Sequence, residues 1–154
     1  LAELMGLAYY HDGRWQDALR ELLTFRRMTG SLDQNHVIAD CYRALGRPDR
    51  ALEVCAEVSP SSTSPEVWTE IVIVAAGALA DKGQIREALA MLARGDLNPE
   101  SVQEHHLRLW YVRADLLERA ERWAEAAQEW KRIVAEDPEF FDAVDRLAAA
   151  EAHL

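Results

Sequence analysis

Cysteine is scarce in this chain of 154 residues, which contains only Cys41 and Cys55. A small domain that depends on disulfides normally carries more cysteines, so the composition predicts a protein of the reducing cytoplasm. Both residues lie within helical patterns. We therefore expect two free thiols that pack as small hydrophobic groups in the core.

Long hydrophobic runs are absent as well. The longest one, residues 67–80, is interrupted by Glu70 and is shorter than the roughly 20 residues that cross a bilayer. The first residues lack the basic start, apolar segment and small-residue cleavage site of a signal peptide. These absences predict a cytoplasmic protein that does not bind membranes.

Positive charge is in deficit, since 17 Lys and Arg residues face 27 Asp and Glu residues and give a net charge of -10. Phosphates repel an acidic surface, so we expect no nucleic-acid partner. The sequence also has no glycine-rich phosphate loop, no paired Cys-x2-Cys and no Gly-x-Ser-x-Gly elbow. We therefore expect a protein that is not an enzyme and uses no cofactor.

A fourfold internal repeat is present. Small residues are each followed, 12 residues later, by an alanine, and the four pairs are Gly6 and Ala18, Ala39 and Ala51, Ala76 and Ala88, and Ala114 and Ala126. A glycine precedes the first three of these alanines by five residues, and Glu121 takes that place in the fourth copy. The spacing fits a helix, a tight turn and an antiparallel second helix, with the small residues allowing close backbone packing.

This spacing resembles the tetratricopeptide repeat family, whose pattern is W-x2-L-G-x2-Y, then A-x3-F, then P. The fourth copy matches the pattern at Trp110, Ala114, Leu117, Ala126, Trp130 and Pro138. The first copy matches it around the turn, at Gly6, Tyr9, Tyr10, Gly13, Trp15 and Ala18. Arg113 occupies a usual leucine position and Cys55 a usual aromatic one. The chain is also loosely similar to the C-terminal part of larger, poorly characterised bacterial proteins of this family.

The resemblance implies an all-α fold, a right-handed superhelical solenoid of helix-turn-helix repeats with a C-terminal capping helix. We expect one domain over residues 1–154, with repeats at about 1–30, 33–58, 65–94 and 99–137 and the cap at 139–153. Successive repeat alanines are 33, 37 and 38 residues apart, against the family's 34, which predicts long first helices at about 65–82 and 99–120. Residues 59–65, rich in Ser and Pro, are expected to be a flexible connection.

Both ends of the stack lead to expectations. In the capping helix, Val144, Leu147 and Ala148 should face inward and Arg146 outward. At the N-terminus Leu1, Leu4 and Met5 begin without a cap. They should form an exposed apolar patch or be covered by a second copy in a homodimer, and the stack would then be part of a longer one.

In the tetratricopeptide family the first helix of each repeat lines a concave groove that binds a peptide or protein segment. By this resemblance the groove residues here are Glu3, Leu7, Tyr10, Asp33, His36, Asp40, Arg43, Glu70, Ile73, Gly77, Arg108, Tyr111, Asp115 and Glu118. Tyr10, Ile73 and Tyr111 are expected to anchor apolar groups, and the excess of carboxylates favours a partner with Lys or Arg. The Lys and Asn residues with which some members hold a chaperone C-terminus are missing from these positions.

Two other functions stay open at this point. One is a self-associating structural scaffold, and the other is a metal-binding helical protein or enzyme that uses His105 and His106. Adjacent helical positions diverge by about 100°, so the two histidines do not readily face one ion. A surface pair near a helix start, with no metal, is the prediction for these residues.

Overall fold

The computed structural model describes all 154 residues and contains nine α-helices, one 3-10 helix and no strand. The α-helices are α1 Ala2–His11, α2 Trp15–Thr29, α3 Asn35–Ala44, α4 Pro48–Ala56, α5 Pro65–Asp81, α6 Ile85–Leu92, α7 Glu104–Arg119, α8 Trp123–Glu136 and α9 Ala143–Glu151. The predicted all-helical fold and the number of helices are confirmed. None of the helices combines the length and the apolar character that crossing a membrane requires.

The chain divides into two compact units, Leu1–Gly83 and Gln84–Leu154. In the first unit α1 packs on α2 and α3 packs on α4, while α3 also contacts both α1 and α5. In the second unit α7 packs on α8, and α6 and α9 pack on α7 and α8 respectively. Helices α1, α3, α5 and α7 are the first helices of the repeats, and α2, α4, α6 and α8 are the second helices.

The small residues of the repeat are buried, as the spacing predicts. All four repeat alanines of the second helices are fully buried, and so are Ala39, Ala76 and Ala114 on the first helices. A Cβ atom at Gly6 would lie 2.6 Å from Leu22 Cγ, which is closer than real Cβ atoms approach their neighbours. Gly6 therefore packs directly on Leu22, one helical turn beyond its expected partner Ala18, and no larger residue fits there.

Each first helix ends at a residue in the left-handed conformation. Gly13, Gly46 and Gly83 have φ of 73°, 75° and 79°, and Glu121 takes φ of 60° in the fourth repeat. The next residue donates its backbone N–H to the carbonyl five residues back, from Arg14 to Tyr9, Arg47 to Tyr42 and Arg122 to Leu117, over 2.8 to 2.9 Å. This is the hydrogen bond of a Schellman helix end.

Helices α5 and α7 are longer than their counterparts, as predicted, with 17 and 16 residues against 10 in α1 and α3. The Ser64 hydroxyl accepts the backbone N–H of Val67 at 3.2 Å and caps α5, which begins at Pro65. The predicted start of α7 near Pro99 is wrong, because α7 begins at Glu104. A cap between Gln103 and His106 sets this start, with the Gln103 backbone N–H donating to His106 Nδ1 at 2.9 Å.

The capping helix α9 differs from the prediction in the face it buries. Val144 is 49% exposed and Ala148 is exposed, while Ala143 and Ala150 are fully buried and Leu147 is half-buried. The reason is that Phe140 already fills the core ahead of the helix, so α9 starts at Ala143 and buries the positions spaced from that residue.

The ends and loops give three further outcomes. Leu1, Leu4 and Met5 are 92%, 71% and 37% exposed, so the chain itself does not cover them, and a second copy as their cover stays a prediction. Residues 59–65, predicted to be a flexible connection, contain the 3-10 helix Pro60–Ser62. Cys41 and Cys55 are free and buried, as predicted.

Candidate functional site

In the first unit, four predicted groove residues come together along the first helices. The Tyr10 hydroxyl on α1 donates to Asp40 Oδ2 on α3 at 2.5 Å. Arg43 donates to the same Asp40 at 3.1 Å and to Asp81 at the end of α5 at 2.8 Å. A Cβ atom at Gly77 would lie 2.5 Å from Arg43 Nη1, so the guanidinium lies against the bare backbone of α5. These bonds join three successive repeats.

The titration of these side chains follows from their surroundings. Burial raises the pKa of Tyr10, and its hydrogen bond to the Asp40 carboxylate raises it further. Burial opposes the charge of Arg43, but its bonds to Asp81 and Asp40 outweigh this and raise its pKa. Tyr10 therefore stays a neutral donor and Arg43 stays a cation across the physiological pH range.

The remaining predicted residues of the first unit surround this cluster. Gln34 Nε2 donates to Glu3 at 3.1 Å. Leu7 precedes Tyr10 by one helical turn, and Ile73 precedes Gly77 by one turn, so they share the faces on which the cluster lies. Asp33 is exposed, and the half-buried residues are Leu7, His36, Glu70 and Ile73. We call the set Leu7, Tyr10, Asp40, Arg43, Ile73 and Gly77 the first-helix surface.

In the second unit, the predicted groove residues gather around Arg146, which the sequence assigned to the outer side of α9. Arg146 Nη2 donates to Asp115 at 2.8 Å and to Glu118 at 3.3 Å, and Nη1 donates to the Tyr111 hydroxyl at 3.2 Å. The Arg146 guanidinium also lies 4.6 Å from the Trp130 ring centroid. Burial opposes the charge of Arg146, yet Asp115 and Glu118 raise its pKa.

Tyr10 and Tyr111, which are expected to anchor apolar groups of a partner, also make contacts within the chain. Tyr111 donates its hydroxyl to Asp142 at 2.6 Å, and its ring meets Trp130 edge-on with centroids 4.9 Å apart. The Tyr10 ring meets Trp15 in the same way at 5.5 Å. Each ring thus packs on the second helix of its own repeat, and each hydroxyl bonds to a carboxylate that follows that repeat. Part of each tyrosine remains at the surface.

Next to Tyr111 an apolar pocket of about 200 Å³ opens to solvent. Its walls are Arg108, Tyr111 and Val112 from α7 and Phe140 and Phe141 from the turn before α9. Phe140 is buried, whereas Phe141 is 73% exposed and has a left-handed backbone with φ of 45°. Sequence reasoning assigned Arg108 and Tyr111 to the site but missed the two phenylalanines, for which the pair of aromatics after Pro138 was the available signal.

A second, polar pocket of about 290 Å³ lies beside α8. Glu129, only 4% exposed, accepts from Arg113 at 2.6 Å and from Arg132 at 3.2 Å. Arg132 in turn stacks on the Trp110 ring, 3.6 Å from its centroid, and donates to the carbonyl of Leu97. Arg113, which occupies a usual leucine position, was the sequence signal for its ion pair with the buried Glu129.

The prediction that His105 and His106 form a surface pair is wrong, since they are 9% and 5% exposed. Their rings are 4.0 Å apart, and His106 Nδ1 is used as the cap of α7. The bond from the Gln103 backbone holds the His106 ring against the start of α7. No group of three or more His, Cys, Asp or Glu side chains is placed to hold a metal ion.

Comparisons with known proteins identify solved structures that have a similar fold. No protein-family model and no curated protein matches the sequence. The fold is similar to Cut9 in the crystal structure of the APC/C hetero-tetramer Cut9–Hcn1, with a TM-score of 0.75 and 18% identity over 95% of this chain. It is similar to a putative kinesin light chain of Podospora anserina with nearly identical TPR-like repeats, with a TM-score of 0.74 and 18% identity over 99% of this chain and 84% of that one.

A third solved structure, Naa15/Naa10 bound to HypK-THB, is similar with a TM-score of 0.59 and 20% identity over 96% of this chain. The chain spans 28% of the length of the matched chain in the Cut9–Hcn1 structure and 23% of that in the Naa15/Naa10 structure. At these identities the likeness concerns the fold. The chain therefore has the helical-repeat fold of the tetratricopeptide repeat proteins.

Proposed function

We propose that this protein is a non-catalytic interaction module that binds a segment of another protein on its first helices. The observation that carries the proposal is the first-helix surface itself. Its polar groups are fixed by bonds between Tyr10, Asp40, Arg43 and Asp81, and half-buried Leu7 and Ile73 lie on the same helix faces. A surface fixed before binding loses little side-chain entropy when a ligand arrives, and aliphatic groups on it supply apolar contact area.

Two of the similar structures support this function by analogy, because their descriptions name assemblies with other proteins, Cut9 with Hcn1 and Naa15/Naa10 with HypK-THB. The net charge of -10 favours a segment that contains Lys or Arg beside its apolar residues. Arg43, on the first helix α3, is paired with Asp81, and Arg146, on α9, is paired with Asp115, so both cations already have acidic partners within the chain.

Selection from a displayed library of random 12-residue peptides, with the purified chain as target, tests the proposal. Enriched peptides are then synthesised and their Kd values measured by fluorescence anisotropy. Ile73→Ala and Leu7→Ala should each weaken binding by about fivefold or more if these side chains are anchors. Gln16→Ala, an exposed position on α2, is the matched control and should leave Kd unchanged.

Two results contradict the proposal. One is a selection that enriches no binding peptide. The other is a set of peptides that respond to substitutions on the second helices alone. Sedimentation of the purified chain distinguishes the alternative function of a self-associating scaffold, for which the exposed Leu1 and Leu4 at the start of the chain are the supporting observation.

A further inference from the structure

The backbone of Phe141 is held in a conformation that ordinary residues avoid. A φ of 45° is strained for a residue with a side chain, whereas glycine adopts it freely. The ring gains little burial in return, because the residue is 73% exposed. Its neighbour Phe140 is buried and supplies the packing at this turn. The strained residue therefore places an aromatic ring in solvent, where it forms one wall of the pocket.

The pocket fits one apolar side chain. Its volume of about 200 Å³ is lined by the rings of Tyr111, Phe140 and Phe141 and by Val112. The ring of Tyr111 is fixed from behind by Trp130 and by its hydrogen bond to Asp142. A wall fixed in this way is already shaped for its ligand, as small apolar binding pockets in proteins usually are.

Carboxylates outnumber basic residues in the segments around the pocket. The segment that carries Phe141 contributes four carboxylates between residues 137 and 145, which are Asp137, Glu139, Asp142 and Asp145, and no basic residue. Asp115 and Glu118 share the single guanidinium of Arg146. Arg108 is the one basic residue that lines the pocket. Asp142 follows Phe141 directly and is exposed, and its Oδ1 accepts the hydroxyl of Tyr111, a wall of the pocket.

We propose that this pocket binds one leucine, isoleucine, methionine or phenylalanine side chain of a partner protein segment that carries a Lys or Arg residue beside it. The apolar side chain packs between Phe141 and Tyr111, and the basic residue pairs with Asp142. This inference rests on the proposed function and identifies both the anchor site in the second unit and the chemistry of the segment.

The variant Phe141→Gly tests the pocket with little risk to the fold, because glycine adopts a φ of 45° without strain. The probes are the enriched 12-residue peptides and their analogues in which each Lys or Arg is replaced by Gln. We expect Phe141→Gly to weaken binding by about fivefold or more while the thermal midpoint stays equal or rises. Asp142→Asn keeps an acceptor for Tyr111, and we expect it to reduce the affinity ratio between a basic peptide and its Gln analogue toward one.

The outcomes separate this inference from the proposed function. Peptides that bind Phe141→Gly as well as the parent, yet are weakened by Ile73→Ala, overturn the pocket and leave the proposed function standing. A library that yields no binder overturns both. A parent chain that dimerises in sedimentation, with Phe141→Gly monomeric, makes a second copy the occupant and also overturns the inference. Enriched peptides without Lys or Arg overturn its charge component.

Discussion

Arg43 and Arg146 perform the same task in the two units, although they stand at different places in their repeats. Each forms an ion pair with a carboxylate on another helix, Arg43 with Asp81 on α5 and Arg146 with Asp115 on α7. Ion pairs of this exposure stabilise a fold by about 0–1 kcal/mol, so their main effect is on geometry. They hold tyrosines and carboxylates in fixed positions on the first helices.

The buried cysteines give a prediction about alkaline pH. Burial raises the pKa of Cys41 and of Cys55 from 9.0 to about 12. Between these values the unfolded chain loses thiol protons that the folded chain keeps, so stability is full below pH 9 and falls as the pH rises toward 12. Each thiol contributes at most about 1.4 kcal/mol per pH unit to this slope.

Urea denaturation at pH 7.0, 9.0 and 10.5 measures the effect, which should appear as a falling midpoint above pH 9. The double variant Cys41→Ala and Cys55→Ala is the control, and its midpoint should fall less steeply. A slope that is unchanged in the double variant would assign the alkaline loss to other groups, of which Tyr10, with its raised pKa, is the first candidate.

At the scale of the helical element, the turn between α7 and α8 is the one first-helix end without glycine. Glu121 has φ of 60° there, whereas Gly13, Gly46 and Gly83 occupy the same conformation in the other repeats. This conformation costs a non-glycine residue roughly 1–2 kcal/mol. Replacing the residue by glycine removes the strain, but about half of the gain in stability is lost because glycine raises the conformational entropy of the unfolded chain. We therefore expect Glu121→Gly to stabilise the protein by about 0.5–1 kcal/mol.

The matched control is Gly46→Ala, which places a side chain at φ of 75° with open space around it and should destabilise the protein by about 1 kcal/mol. The free energy of unfolding from urea titration gives both values. A loss of stability in Glu121→Gly would mean that the glutamate side chain contributes an interaction larger than its backbone strain.

The positions of the helices are predicted well from the sequence, whereas the side-chain contacts between helices are predicted poorly. The fourfold spacing of small residues identifies the helix pairs because close packing requires small side chains, and side-chain size can be read from the sequence. The close approach of Gly6 to Leu22 is one example. Arg146 was assigned to the solvent side because it is charged. Helical periodicity carries no information about its partner Asp115, which is 31 residues away. The prediction that His106 is exposed was wrong for a similar reason. Its Nδ1 caps α7, and α7 starts five residues beyond the expected Pro99.

For the whole molecule, charge is the property that acts beyond individual contacts. An excess of ten carboxylates over basic residues surrounds any binding surface with a negative field. Such a field raises the rate at which a basic partner arrives and has little influence on how long it stays bound. Dissociation should depend instead on apolar contacts, at Leu7 and Ile73 for a segment bound to the first unit and at Phe141 for one bound to the second.

This reasoning predicts how salt divides between the two rates. For an enriched peptide that contains Lys or Arg, raising the salt from 50 to 500 mM should lower the association rate constant by about tenfold, because ions screen charges beyond a few ångströms. The dissociation rate constant should change by less than about twofold. Surface plasmon resonance with the full chain immobilised measures both rates, and the analogue peptide with Gln in place of Lys and Arg is the control, whose association should hardly respond. If salt instead acts mainly on dissociation, ion pairs at the bound surface hold the peptide, and the apolar side chains are not the anchors.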